Sequence, residues 1–137
     1  MITIFLNGTW DFEEPKTKEA YKVAEAAMRV QFPKAYIFNP CEFLAQYKGE
    51  DYIIKKAKML DAVFSGRFSH IVLLNDWWLW QSARRIIDSL AEGYTWGDWS
   101  DKPVIIPMNY EHEQLGKEYL SKLQQAEHQS KRKEQEE

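Results

Sequence analysis

Four short apolar runs divide the chain and predict four strands. They lie at residues 2–6, 35–38, 70–74 and 103–107. Runs of this length without a polar face are typical of strands that are covered on both sides, as in a parallel sheet. Pro103 and Pro107 bound the last run, which indicates a strand at the edge of the sheet or the two ends of a strand.

Between and after these runs, apolar residues recur at spacings of three and four, which predicts four amphipathic helices. The predicted helices cover residues 16–32, residues 52–64, the stretch after Ser82, and a segment from His112 onwards. Pro15 suits the first position of the first helix. Asp51 and Ser82 are residue types that cap a helix N-terminus, so we expect them to begin the second and third helices.

The repeated order of strand and helix predicts an α/β fold with three layers. We expect a mainly parallel sheet of four to five strands with helices on both faces and right-handed crossovers. Residues 41–50 are predicted to form a loop, and Ile53 and Ile54 to face inward from the second helix. Residues 1–123 form the single predicted domain, and 124–137 a charged tail that is partly helical or disordered.

The overall composition narrows the class of protein. A chain of 137 residues with 45% hydrophobic residues is sufficient for one core. The formal net charge of −3 argues against binding to a nucleic acid polymer. Cys41 is the single cysteine, which fits a reducing compartment. No signal peptide and no apolar stretch of roughly 20 residues are present, so we expect a cytoplasmic protein that does not bind membranes.

Polar and aromatic residues collect where the first and third predicted strands end. Asn7, Gly8 and Trp10 follow the first strand, and Asn75, Asp76, Trp77, Trp78 and Trp80 follow the third. In open α/β sheets, ligands bind at the carboxyl ends of strands, beside the next helix. Three indoles within four positions cannot all face one core, so we expect at least one to stack on a flat ligand or to lie in an interface.

The helix after Ser82 carries further candidate groups. Arg84 lies in its first turns, where a cation opposes the helix dipole. An anionic ligand bound to Arg84 would offset this unfavourable interaction. Alternatively, Arg84 lies on a solvated face of the helix. Asp88 is either a surface acid or a catalytic carboxylate.

Motifs of several other site classes are absent from the sequence. There is no Walker loop and no G-x-G-x-x-G, and the three histidines lack the spacing of metal ligands. His70 is interpreted as a strand residue, and Cys41 as a small buried apolar residue rather than a nucleophile. We therefore expect neither a metal nor a cofactor.

Several segments, taken in order, resemble the nucleoside 2-deoxyribosyltransferase superfamily and a smaller relative common in bacteria and phages. The opening TIFLNGTWDF with KEAYKVAEAAM is similar to the family's first strand, turn and helix, and FNP, QYKGEDY, IVLLNDW and KPVIIP are similar to later segments. The likeness covers residues 2–107. It implies a Rossmann-like fold, a homo-oligomer, and a nucleoside or nucleotide pocket above the strand ends.

The resemblance also implies a chemistry. Members of the family use a glutamate on the helix after the third strand, which attacks the anomeric carbon and expels the base. Matching the family pattern from Ser82 places Asp88 at this position, whereas matching it from Trp77 places Ile86 there. Asp76 would orient the sugar or protonate the leaving base. Asn109 would complete the pocket of a neighbouring subunit.

Three functions are compatible with these observations. The first is a nucleoside- or nucleotide-binding protein with a degenerate catalytic site, which senses or sequesters a nucleotide. Its pocket would be built from Asn7, Gly8, Trp10, Asp76, Trp77, Ser82, Arg84 and Asn109. The second is a glycosyltransferase or deoxynucleotide N-hydrolase that uses Asp88 as the nucleophile. The third is an interaction protein whose tryptophan-rich loops form a homo-oligomer.

Overall fold

The central sheet consists of four parallel strands. They are β1 (Thr3–Asn7), β2 (Tyr36–Phe38), β3 (His70–Leu73) and β4 (Val104–Pro107), and their order across the sheet is β2-β1-β3-β4. The coordinates are a computed structural model. It describes residues 1–65, 68–75, 77, 80–91 and 103–136, without the side chains of 64, 65, 82, 88–91 and 132–136.

The described residues form five helices, with helices on both faces of the sheet. They are α1 (Pro15–Gln31), α2 (Pro40–Ala45), α3 (Tyr52–Ser65), α4 (Gln81–Ala91) and α5 (Tyr110–Glu136). Ile4 and Leu6 of β1 pack with α1 on one face, whereas Phe5 packs with α3 and α4 on the other. Apolar residues on both faces of β1 explain why its sequence has no polar face. The prediction of an α/β fold with a parallel sheet is therefore confirmed.

The chain changes direction across the sheet at β1 and β3. Phe5 of β1 is paired with Phe38 of β2 on one side and with Ile71 of β3 on the other. The connection from β1 to β2 crosses one face through α1, and the connection from β2 to β3 crosses the opposite face through α3. The loops that follow β1 and β3 therefore leave the sheet in opposite directions, which opens a crevice at their carboxyl ends.

A short helix, α2, replaces the first half of the loop predicted for residues 41–50, whereas residues 46–50 form turns. Asn39 is its N-cap residue, and its side-chain oxygen accepts a hydrogen bond from the backbone N–H of Cys41 at 3.0 Å. Pro40 occupies the first helical position, where its missing N–H costs nothing. The loop prediction was wrong for residues 41–45, because the Asn39-Pro40 pair that follows β2 also begins a helix.

The inward face predicted for α3 was also wrong at its first turn. Ile53 and Ile54 are 78% and 44% exposed, and the helix instead buries Met59 and Val63, which are one turn apart. Asp51 does precede the helix, and its carbonyl accepts a hydrogen bond from the N–H of Lys55. The first turn of α3 therefore projects beyond the sheet that its second half covers.

The predicted cap of α4 is displaced by two residues. The carbonyl of Trp80 accepts a hydrogen bond from the N–H of Arg84 at 3.1 Å, and the helix begins at Gln81. Ser82 thus lies inside the first turn, so the prediction that Ser82 caps α4 was wrong. The acceptor of the first hydrogen bond of α4 is a backbone carbonyl, which every residue type has, so Trp80 can begin the helix without a capping side chain.

The last helix is longer than its apolar pattern indicated. α5 packs on α1 around Gly116, where an added Cβ would lie 2.2 Å from the carbonyl oxygen of Val23. It then continues through the charged segment, where residues 121–131 are exposed. None of the described helices combines the length and the apolar character required to cross a membrane.

Candidate functional site

The loop after β1 is held by the side chain of Asn7. This amide is fully buried, donates from Nδ2 to the carbonyl oxygen of Ala83 at 3.1 Å, and accepts from Nε1 of Trp10 at 3.2 Å. One residue thus joins β1 to α4 and sets the position of the Trp10 indole. Because both polar atoms bond within the protein, we assign Asn7 a positioning role.

Gly8 is required by close packing against the neighbouring strand. A Cβ at this position would lie 2.7 Å from the Cβ of Leu74, so a larger residue would move the backbone. The N–H of Gly8 donates to the hydroxyl of Tyr21 at 2.8 Å, and that hydroxyl donates to the carbonyl of Thr9 at 3.1 Å. Burial raises the pKa of Tyr21 far above its usual value, so the hydroxyl keeps the proton that it donates.

A cleft of about 670 Å³ opens on the α3 side of this loop. We call it the aromatic–lysine cleft. Three aromatic residues, four lysines, three acids and four small or apolar residues line it: Trp10, Phe12, Tyr52, Lys18, Lys48, Lys55, Lys56, Asp11, Glu13, Glu50, Cys41, Leu44, Ala45 and Met59. Its residues come from the loop after β1, from α1, α2 and α3, and from the connection between α2 and α3.

One ion pair bridges this cleft. Nζ of Lys55 lies 2.6 Å from a carboxylate oxygen of Glu13, and this hydrogen bond and charge lower the pKa of Glu13. Lys18, Lys48 and Lys56 form no ion pair with the described residues. Three ammonium groups therefore remain available to an anion in the cleft.

A smaller cavity of about 340 Å³ lies on the α1 side of the same loop, at the point where the loops after β1 and β3 separate. We call it the switch crevice. It is lined by residues of the loops after β1, β3 and β4, of α1 and of α5: Thr9, Lys16, Thr17, Glu19, Ala20, Tyr21, Val23, Leu74, Asn75, Met108, Glu113 and Lys117. Thr9 and Trp10 are consecutive but line different cavities, so the loop after β1 separates the two.

The structure does not gather the predicted site residues into one pocket. Trp10 lines the aromatic–lysine cleft, whereas Trp77 is half-buried against the α3 and α4 side of the sheet. Arg84 is exposed on α4. Asn109 caps α5, since its side-chain oxygen accepts from the N–H of His112 at 2.9 Å. Neither of the two cavities is lined by Trp77, Arg84 or Asn109.

The candidate catalytic groups cannot be located in the same way. Asp76 lies outside the described residues, and for Ser82 and Asp88 only the backbone, within α4, is described. Ile86, the alternative at the family's glutamate position, is 1% exposed and packs in the core. The chemistry assigned to Asp88 and Asp76 stays a prediction.

His70 lies in a strand and Cys41 is buried, as the sequence predicted. His70 is the first residue of β3, and its Nδ1 lies 2.8 Å from the hydroxyl of Ser69, at the amino end of the sheet. Cys41 is buried, and this burial raises its pKa to about 12. The thiol is therefore protonated at neutral pH.

Sequence reasoning missed the lysines and two of the aromatic residues of the cleft. Lys18 lies in the second turn of α1, which has no acid in its first turn. A lysine there opposes the helix dipole, the same signal that drew attention to Arg84. Lys56 lies in the second turn of α3, which also has no acid in its first turn, so it carries the same signal. Lys48 and Tyr52 carry no such signal, because only the folded chain brings them to the same cleft as Trp10.

The described residues contain no cluster of three or more histidine, cysteine or acidic side chains that could hold a metal ion. Comparison with known proteins found no matching family model, no matching curated protein and no matching solved structure.

Proposed function

We propose that this protein binds a nucleotide, with the base and the phosphate held in the aromatic–lysine cleft. The observation that carries the proposal is the composition of this cleft, which combines aromatic side chains, ammonium groups that form no ion pair with the described residues, and carboxylates within about 670 Å³. These three chemistries match the three parts of a nucleotide.

The aromatic residues suit the base. Trp10 is only 5% exposed, with its indole nitrogen bonded to Asn7 and its ring centroid 5.5 Å from that of Phe12, so its ring is packed into the wall of the cleft. Tyr52 is 66% exposed at the rim and is available to a ligand. Stacking on an aromatic side chain is worth roughly 1–3 kcal/mol per base and tolerates any base, because every base has a π-face.

The charged residues suit the phosphate and the sugar. Lys18, Lys48 and Lys56 can each donate to phosphate oxygens as mobile point charges. Asp11 and Glu50 can accept hydrogen bonds from ribose hydroxyls, as acids do in dinucleotide sites. The net charge of −3 disfavours the many phosphates of a long nucleic acid, which favours a free nucleotide as the ligand.

The test is calorimetric titration with nucleosides and with their 5′-mono- and diphosphates. We expect nucleotides to bind at least about tenfold more tightly than the matching nucleosides, because a charged hydrogen bond contributes about 1.5–3 kcal/mol. Their affinity should fall as salt is raised.

Matched variants locate the site. Lys48→Gln and Lys56→Gln should each weaken nucleotide binding without weakening nucleoside binding, and Tyr52→Ala should weaken both. Lys34→Gln is the control, because Lys34 is exposed and lies outside the cleft. If no nucleotide binds, or if the cleft variants bind like the control, the proposal is wrong.

A further inference from the structure

The switch crevice is lined by a buried threonine whose hydroxyl has no partner among the described residues. Thr17 lines the crevice, and its residue surface is only 5% exposed. Its hydroxyl forms no hydrogen bond with any other described residue. Buried hydroxyls are normally satisfied by protein, by water or by a ligand, so this one is available to a group inside the crevice.

The helix that carries Thr17 begins without a side-chain cap, although the acids Glu13 and Glu14 directly precede it. Glu14 is the N-cap residue of α1 but makes no side-chain capping bond, and the first turn contains no acid. Lys16 lies there instead and lines the crevice. Free N–H groups and a lysine at a helix N-terminus both favour an anion.

The opposite wall adds one more cation and two hydrogen-bonding groups. Lys117 reaches the crevice from α5, as does Glu113, whose carboxylate accepts a hydrogen bond from Nδ2 of Asn75. Glu19 lies on the α1 side. The carboxylates would repel a second anionic group but would accept hydrogen bonds from hydroxyls.

From this arrangement we propose that the switch crevice is a second binding site, which takes a small hydroxylated phosphate monoester of the sugar-phosphate class. The phosphate lies at the N-terminus of α1, against Thr17, Lys16 and Lys117, and the hydroxyls face Glu113 and Asn75. The crevice has about half the volume of the aromatic–lysine cleft and no aromatic face apart from Tyr21, which favours a ligand without a base.

The test is calorimetric titration of the full chain with ribose 5-phosphate, ribose and inorganic phosphate. We expect ribose 5-phosphate to bind most tightly, inorganic phosphate more weakly, and ribose not measurably. Thr17→Val and Lys117→Gln should each weaken ribose 5-phosphate binding about tenfold or more. Glu113→Gln should weaken ribose 5-phosphate binding more than phosphate binding.

Two control variants keep the result interpretable. Thr17→Ser retains the hydroxyl and should bind like the wild-type protein, which separates loss of the hydroxyl from damage to the fold. Lys122→Gln removes an exposed charge of α5 outside the crevice and should change nothing. Absence of ribose 5-phosphate binding, or equal weakening by Lys117→Gln and Lys122→Gln, would overturn the proposal.

This inference does not rest on the nucleotide proposal. Lys48→Gln and Lys56→Gln should leave ribose 5-phosphate binding unchanged, because Lys48 and Lys56 line the other cavity. Failure of one proposal is therefore distinguishable from failure of the other.

Discussion

At the scale of single residues, Glu25 of α1 lowers the stability of the fold at neutral pH. Burial and the nearby Glu42 raise the pKa of Glu25, although a hydrogen bond with Asn39 and the charge of Arg29 oppose the shift. Because the pKa is higher in the folded than in the unfolded chain, the ionised carboxylate disfavours folding above the folded pKa. This cost disappears as the pH falls below the ordinary value.

We therefore expect Glu25→Gln to stabilise the protein at pH 7. The gain should be on the order of 0.5 kcal/mol, because the side chain is partly exposed to solvent, and it should vanish near pH 4. Urea unfolding at several pH values measures the difference. Glu127→Gln on the exposed part of α5 should have no effect, and an equal gain at pH 4 and pH 7 would contradict the explanation.

The sequence contained little information about whether a single polar residue contacts a ligand or another part of the protein. Asn7 and Gly8 were expected to contact a ligand, but Asn7 bonds to Ala83 and Trp10, and Gly8 accommodates Leu74. Ala83 and Leu74 are distant in the sequence from the residues that they contact. A polar residue at a strand end thus indicates an important position without indicating whether its partner is a ligand or the protein.

At the scale of elements, the contact between α1 and α5 depends on Gly116. Alanine normally stabilises a helix interior by about 1 kcal/mol relative to glycine. Here its Cβ would meet the carbonyl oxygen of Val23 at 2.2 Å, a backbone atom that cannot rotate away. The two helices would have to separate.

We expect Gly116→Ala to destabilise the protein by about 1–3 kcal/mol, the usual cost of overpacking. Thermal or urea unfolding measures the change. Ser121→Ala is the matched control, since Ser121 is an exposed residue of the same helix and its substitution should stay within about 0.5 kcal/mol. A stabilised Gly116→Ala variant would show that the helices do not approach this closely.

Elements with a continuous apolar run or a long amphipathic pattern were predicted within one or two residues. This holds for β1, β3 and α1, whose patterns are set by burial of their own side chains. The six-residue α2 was missed because its signal is a single Asn-Pro pair. The exposed first turn of α3 was assigned to the core because periodicity shows a helix but not where its neighbours end.

At the scale of the whole molecule, the C-terminal part of α5 extends past the core. The residues from 124 to 131 are all exposed, while the contact with α1 lies earlier in the helix, around Gly116. Helical hydrogen bonds without tertiary packing add little to global stability.

We expect a chain that ends at Leu123 to unfold within about 3 °C of the full-length chain, because a loss below about 1 kcal/mol shifts the midpoint by only a few degrees. Its far-UV circular dichroism per molecule should fall by the contribution of the removed helix. Both are measured in one thermal melt. Loss of cooperative unfolding would mean that the extension contacts something that stabilises the fold.

The sequence predicted the architecture of the molecule better than its cavities. The parallel sheet follows from four apolar runs separated by helices, which is a local pattern. The aromatic–lysine cleft instead requires Trp10, Lys18, Lys48 and Tyr52 to meet, and they belong to different elements. These residues come together only because of the way the connections between the strands cross the sheet, and the sequence of any one segment does not determine that.

The position of β1 in the middle of the sheet has a consequence for synthesis of the chain. β1 is synthesised before both of its neighbours in the sheet, β2 and β3, and Thr3 bonds to Ser69, which is 66 positions later. At about 5–20 residues per second, translation takes several seconds to reach this partner. During that interval β2 is available and β3 is not, so the edge of β1 that β3 later covers is open to a chaperone or to a second nascent chain.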